Sequence, residues 1–271
     1  MTAQIPLGKP TRYPEAYDEG LLYPVERAPQ RRALGIDTLP FAGFDRWTAW
    51  EVAWLDPAGR PQAAIAEFDV ACTSPRIVES KSVKLWLASL YNERFASSEA
   101  LRDRLGNALE RATGSNVSLR IDVPGDWNAY ARHEATAVSI DGVVPASFPS
   151  SPDAALLRAH GDDVPETTLR SHAFRSVCPV TGQPDYATLT VTYDGPRIDP
   201  AAFAAYLFGF RRHPGFHEDC AERIFIDVQR ACAPRSLAVD AAFTRRGGID
   251  IRPFRTSDPS FAFPGPRDLR Q

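Results

Sequence analysis

Residues 47–55, WTAWEVAWL, set Trp50, Val52 and Trp54 at alternate positions, and residues 63–70, AAIAEFDV, do the same with Ala64, Ala66, Phe68 and Val70. Alternation of period two predicts two half-buried strands, and the intervening DPAGRPQ predicts the turn of a hairpin. The period then changes. Val83, Trp86, Leu87 and Leu90 fall at i, i+3, i+4 and i+7, which predicts a helix over 82–95 opened by Ser80 or Ser82. Residues 97–114 repeat that spacing with Leu101, Leu105, Ala108 and Leu109 facing inward and Gly114 as the stop. NVSLRIDV and HEATAVSIDG then read as two further short strands.

The second half follows the same order. YATLTVTY, residues 186–193, alternates as a strand, and the following DG reads as a turn into a helix capped by Asp199 with Pro200 at its first position. Phe203, Tyr206, Leu207 and Phe210 share one face of that helix. HEDCAERIFIDVQRACA predicts a second helix, with Ala221, Ile224, Phe225 and Val228 inward, and SLAVDAAFTR with GIDIRPF predicts a closing hairpin joined at Arg246, Gly247 and Gly248. The repeat is one of element order, with little residue identity between the halves. It predicts an α+β protein made of two modules, 1–143 and 169–271, each an antiparallel sheet backed by a helix pair. The Pro-, Ser- and Asp-rich stretch 144–168 reads as their linker.

Composition narrows the possible partners. The 271 residues suffice for two modest domains with buried cores. A formal charge of -3 gives no bulk attraction to nucleic acid. Pro14, Glu15, Asp18 and Glu19 occupy the region where a signal peptide would need an apolar run, and no stretch is long and apolar enough to span a bilayer. A cytoplasmic protein is expected. The four cysteines lie far apart with no CxxC pair, so free thiols are expected.

Several residues could carry chemistry. Cys178 sits on a turn three residues after Arg175, where a thiol of lowered pKa would be a nucleophile; a small apolar residue under a loop is the alternative. Asp185, seven residues on, could exchange a proton with a group near that thiol or simply serve the turn. His217 and Glu218 open a helix, a place that often faces a ligand. A carboxylate there could accept the paired N–H groups of a guanine-like edge, or only complement the helix dipole. His213, His217 and Cys220 have zinc-ligand chemistry, although Pro214 and Gly215 interrupt any helix between the histidines. ESKSVK, residues 79–84, could bind phosphate through hydroxyls, ammonium groups and backbone amides, or be a solvated helix start. Arg245, Arg246, Gly247 and Gly248 could form a second phosphate-contacting turn or only a basic hairpin. Neither GxGxxG nor GxxxxGK[ST] occurs, so any nucleotide must be held some other way.

Taken together, PLGKPTRYPEAYDEGLLYPVER, FDRWTAWEVAWL, ESKSVKLWLASLYNERF, SVCPVTGQPDYA, FRRHPGFHEDCAERIF and FTRRGGIDIRPF resemble a family of queuosine-pathway nitrile reductases. These are the NADPH-dependent 7-cyano-7-deazaguanine reductases, in their long two-module form. The resemblance runs nearly end to end and implies tandem tunnelling-fold modules in a homodimer. It implies that Cys178 attacks the nitrile carbon to give a covalent thioimide, with Asp185 and His217 serving the chemistry. Val78, Glu79, Ser80, His217 and Glu218 would bind substrate; Ser80, Lys81, Arg246 and Gly247 would contact NADPH. No metal is implied, and neither nucleic acid nor a membrane is an expected partner. The product would be the 7-aminomethyl compound after two hydride transfers. Family members often carry Asn before the cysteine and Trp after the aspartate, where this chain has Val177 and Tyr186. The N-terminal residues 1–30 are a candidate cover for the reacting imine. Two other readings stand beside this one: a zinc-dependent hydrolase of the same fold using His213, His217 and Cys220, and a purine-binding module without catalysis.

Overall fold

A computed structural model describes residues 16–123, 130, 136–263, 265, 267, 268, 270 and 271. Residues 1–15 of the expected cover and 133–135 of the expected HEATAVSIDG strand lie outside that set. The chain forms two compact units, one of Met1–Pro29, Phe44–Ala131 and Arg245–Ile251, the other of Gln30–Gly43, Arg132–Thr244 and Arg252–Gln271. The expected modules were contiguous, 1–143 and 169–271. The observed divisions at 43/44 and 251/252 instead fall inside two strands, Ala42–Leu55 and Ile249–Thr256. No helix among the described residues is long and apolar enough to cross a membrane.

In the first unit, β1 (Pro24–Glu26) is followed by a short helix, α1 (Ala28–Ala33), whose later residues belong to the second unit. β2 (Ala42–Leu55) and β3 (Pro61–Ala71) form the predicted antiparallel hairpin, β4 (Arg76–Val78) pairs with β1, and β5 (Val117–Asp122) lies antiparallel on β3. α2 (Ser80–Ala88) and α3 (Ser98–Thr113) supply the helix pair. Ala64, Ala66, Phe68 and Val70 are buried as the alternation predicts. Trp50 is not part of that buried face. The register skips between Ala49 and Val52, so an extra β2 residue bulges there and reverses the alternation. Trp47 and Ala49 are buried before the bulge, Val52 and Trp54 after it. Val83, Trp86, Leu87, Leu90, Leu101, Leu105, Ala108 and Leu109 complete this core. Ser97 caps α3 and Gly114, at φ 72°, ends it in the left-handed region that glycine adopts without steric cost.

In the second unit, β6 (Val138–Ser139), β7 (Ala159–Val177), β8 (Pro184–Ile198), β9 (Ser236–Phe243) and the later part of β10 (Ile249–Thr256) pair in sequence order. All these pairings are antiparallel except that of β6, which runs parallel to β7. The segment expected to close the first module's sheet thus contributes its short strand here. Two further expectations change. Residues 159–168, expected within the linker, begin β7, and their polar side chains occupy its exposed end. Asp194 and Gly195 do not turn: β8 continues to Ile198, and Gly195, at φ 134°, passes close to the Pro234–Arg235 backbone, where a Cβ would stand 3.0 Å from the Arg235 nitrogen. α4 (Pro200–Phe208) begins as predicted, with Asp199 accepting hydrogen bonds from the Ala201 and Ala202 amides. α5 (His217–Cys232) buries Ala221, Ile224, Phe225 and Val228 completely. Its Glu222, itself buried, accepts hydrogen bonds from Arg255 at 2.9 Å and Arg31 at 2.7 Å, which anchors the helix.

Candidate active site

Antiparallel pairing of β7 and β8 makes Ser176 the partner of Asp185 and Val177 the partner of Pro184, leaving residues 178–183 as the connecting loop. The Cys178 amide donates to the Gln183 carbonyl at 2.8 Å and the Gly182 amide donates to the Cys178 carbonyl at 3.0 Å. Cys178 therefore sits at the mouth of a closed hairpin, with Asp185 on the neighbouring strand. The start of α5 is brought to the same place by backbone pairing: the Val177 amide donates to the His213 carbonyl at 3.0 Å, and the Gly215 amide to the Val177 carbonyl at 3.1 Å.

Two residues further on, His217 opens α5. Its Nε2 lies 3.5 Å from Oδ2 of Asp185, which is 3% exposed. The imidazole lies flat against Phe243, with ring centroids 3.7 Å apart and planes 8° from parallel. Its Nδ1 is buried and has no hydrogen-bond partner among the described residues. Glu218 is buried in the first turn of α5, a helix whose N-terminus has no side-chain cap. Sequence reasoning placed Phe243 in a strand and gave it no role; its strand alternation marks it as inward-facing but does not mark which ring it meets.

Burial separates the four cysteines, which form no disulfide with one another. Cys72, Cys220 and Cys232 are buried, while Cys178 is partly exposed. Burial pushes the Cys220 thiol far up, and the nearby Asp219 carboxylate adds to the shift. The Cys232 thiol is pushed up to about 11 by burial. A thiol held protonated and out of solvent is a poor nucleophile, and this leaves Cys178 as the reachable sulfur. Arg175, expected to poise it, lies with its guanidinium 6.0 Å over the Tyr186 ring.

The first unit carries the other predicted residues. Val78 is buried on β4 opposite Pro24. Glu79, rather than Ser80 or Ser82, caps α2: its two carboxylate oxygens accept from the Lys81 and Ser82 amides, each at 2.8 Å. Its extended backbone places both oxygens over the first turn, and the Ser82 hydroxyl donates back to the Glu79 carbonyl at 2.6 Å. Oε1 also accepts from the Ser80 hydroxyl at 3.5 Å, and a carboxylate oxygen has about two lone-pair sites, so Oε2 keeps one for another donor. Ser80 is exposed and Lys81 partly so. Arg246 and Ile249 exchange backbone hydrogen bonds around an exposed Gly247 and a buried Gly248, at φ 57° and 80°. A Cβ at Gly247 would stand 2.9 Å from Lys84 Nζ, and one at Gly248 would stand 2.5 Å from the Glu51 carboxylate carbon. Glu51, Lys84, Gly247, Gly248 and Ile249 help line a small cleft of about 40 Å³. Lys84 thus sets a cation and Glu51 a carboxylate beside the glycine turn.

Among the described residues, no three His, Cys, Asp or Glu side chains are grouped to hold a metal ion. Of the three zinc candidates, His217 faces Asp185 and Phe243, while His213 lies edge-on to Phe210.

Residues 13–121 match a family described as nitrile reductase, 7-cyano-7-deazaguanine-reductase N-term, and residues 184–260 match a family described as QueF-like protein. The chain is 46% identical over 269 residues to the NADPH-dependent 7-cyano-7-deazaguanine reductase of Paraburkholderia phymatum, covering 98% of this chain and 97% of that protein. It is 46% identical over 270 residues, with the same coverage, to the protein of that name from Stenotrophomonas maltophilia strain K279a.

Proposed function

The chain belongs to the family of NADPH-dependent 7-cyano-7-deazaguanine reductases, and from that premise we propose that it reduces the nitrile of 7-cyano-7-deazaguanine to the primary amine through a covalent thioimide on Cys178. The observation that carries the mechanism is the placement of one partly exposed thiol at the mouth of the β7–β8 hairpin, whose second strand carries Asp185 in contact with His217.

A nitrile carbon is a poor hydride acceptor. Addition of the Cys178 thiolate forms a carbon–sulfur bond and turns the C≡N triple bond into C=N, while the nitrogen takes up a proton from the Asp185–His217 pair. NADPH supplies hydride, two equivalents per nitrile. After the first reduction the carbon–sulfur bond breaks, Cys178 leaves as thiolate, and the substrate is an imine ready for the second. Asp185 is nearly buried, so its charge is poorly solvated and its contact with His217 is strengthened by the low local dielectric. A relay of this kind can give and take a proton at each stage.

Substrate recognition falls in this account to Val78, Glu79, Ser80, His217 and Glu218. The two glutamates are buried, as suits carboxylates that accept from ring N–H and amine groups in competition with little water. Ser80, Lys81, Arg246 and Gly247 fit NADPH: hydroxyl and cationic groups for its phosphates, and a glycine where the backbone must come close. The tunnelling fold is the expected architecture, supported by antiparallel sheets that carry helix pairs, and a homodimer is the expected assembly.

The test is NADPH oxidation with 7-cyano-7-deazaguanine, counting cofactor consumed per nitrile lost in wild type and Cys178→Ala. Two NADPH per nitrile with an inactive variant supports the reading. No oxidation by folded wild type contradicts it.

A further inference from the structure

Phe243 is the last residue of β9 and is 1% exposed. It pairs with Ala187 on β8, and Asp185 lies two residues before Ala187, so Phe243 and Asp185 point to the same face of the sheet as diagonal neighbours. The Thr244 amide donates to the Tyr186 carbonyl at 2.9 Å and fixes that end of β9. His217 contacts both: its edge meets Asp185 at 3.5 Å and its face meets Phe243 at 3.7 Å between centroids. Behind Phe243, Phe174 packs edge-on at 6.1 Å and 82°, and Phe210 packs against Phe174 at 5.4 Å.

Aromatic rings left to themselves favour offset or edge-on contacts with centroids about 4.5–7 Å apart. The closer, nearly parallel contact of His217 with Phe243 is therefore a placement imposed by the strands and the start of α5. The imidazole also carries a buried Nδ1 with no partner among the described residues. Such a nitrogen is costly, and a ring free to swing would turn toward a donor, an acceptor or water. A flat hydrocarbon face offers no hydrogen bond and blocks the swing toward its side, which helps hold the ring level with Asp185.

We propose that Phe243 is a positioning residue for the nitrile reduction, holding the His217 imidazole in the plane in which Nε2 meets Asp185. The proposal rests on the proton-transfer role given to His217 above. No bond to Phe243 forms or breaks; its contribution is the orientation of the group that exchanges the proton.

The test is a double-mutant cycle of Phe243→Leu against His217→Ala, with Phe243→Tyr as the conservative variant and Phe174→Leu as a packing control. Phe243→Leu is expected to lower kcat about ten- to a hundredfold, with KM for the nitrile moving less than about twofold. Phe243→Tyr is expected to restore most of the rate. In the His217→Ala background Phe243→Leu is expected to cost less than about a further twofold, because its target is already gone. Phe174→Leu is expected to lower Tm and to lose the same factor in both backgrounds. Equal losses from Phe243→Leu with and without His217 would overturn the proposal, as would a Tyr variant no better than Leu. A second measurement is independent of turnover: nitrogen-15 histidine spectra should show one fixed His217 tautomer in wild type and an averaged signal in Phe243→Leu. Unchanged spectra would overturn the positioning role. A wild type with no reductase activity would instead overturn the functional reading.

Discussion

The β7–β8 hairpin of the second unit and the start of α2 in the first unit both place a buried carboxylate beside a helix N-terminus, yet the two carboxylates are used differently. Asp185 faces a histidine side chain that opens the helix. Glu79 accepts from two amides of its own helix, each at 2.8 Å. The first arrangement suits proton exchange, because an imidazole can give up or gain a proton in the physiological range. The second holds a charge in a fixed place, as recognition of a donor-rich heterocycle requires. Two carboxylates in similar burial thus have different partners, and the proposed mechanism gives them different roles.

The largest effects should fall on the hairpin. Cys178→Ala is expected to lower NADPH oxidation by about four orders of magnitude or more, while leaving Tm nearly unchanged, since the side chain is partly exposed. Asp185→Asn, which keeps shape but cannot accept a proton in the same way, is expected to cost about 10²–10⁴ in kcat. A kcat within about twofold of wild type would remove the distinction between the two carboxylates. Gly247→Ala forces a side chain into the left-handed region and against Lys84, a strain of about 1–2 kcal/mol. It is expected to raise KM for NADPH about tenfold, with KM for the nitrile little changed, as separate titrations of each would show. Equal changes in both constants would contradict the cofactor role of that turn.

Much of this was readable from the chain, and the exceptions share a cause. Helix periodicity located α3, α4 and α5 and the first part of α2, which stops at Ala88 rather than at residue 95, and Gly114, Asp199 and Pro200 marked ends because caps act locally. The β2 bulge was not visible, since inserting one residue reverses the alternation without changing composition; Trp50 was therefore placed on the wrong face. Asp194–Gly195 reads as a turn locally and is strand because the nearby Pro234–Arg235 backbone sits where a Cβ would go. Cys178, Asp185 and His217 could be identified as candidates, but the burial that disqualifies Cys220 depends on tertiary packing. The His217–Phe243 stack joins residues from different elements, and no spacing rule reports such a contact.

Smaller effects sharpen the comparison. Glu79→Ala removes a helix cap as well as a proposed substrate contact, so it is expected to lose about 1–2 kcal/mol of stability, seen as a Tm lower by about 2–4 °C per kcal/mol. Cys178→Ala should show no such drop. Cys220→Ala, in a fully buried position, is expected to cost about 1 kcal/mol and to leave kcat within about twofold. A large loss of rate without a loss of Tm would contradict its assignment as packing.

The central claim is the covalent bond to Cys178. Protein incubated with 7-cyano-7-deazaguanine and no NADPH should gain the mass of one substrate molecule, and peptide mapping should place it on Cys178. Chasing that complex with NADPH should release the amine and restore the free thiol. Full reductase activity in Cys178→Ala, or an adduct confined to another cysteine, would contradict the account.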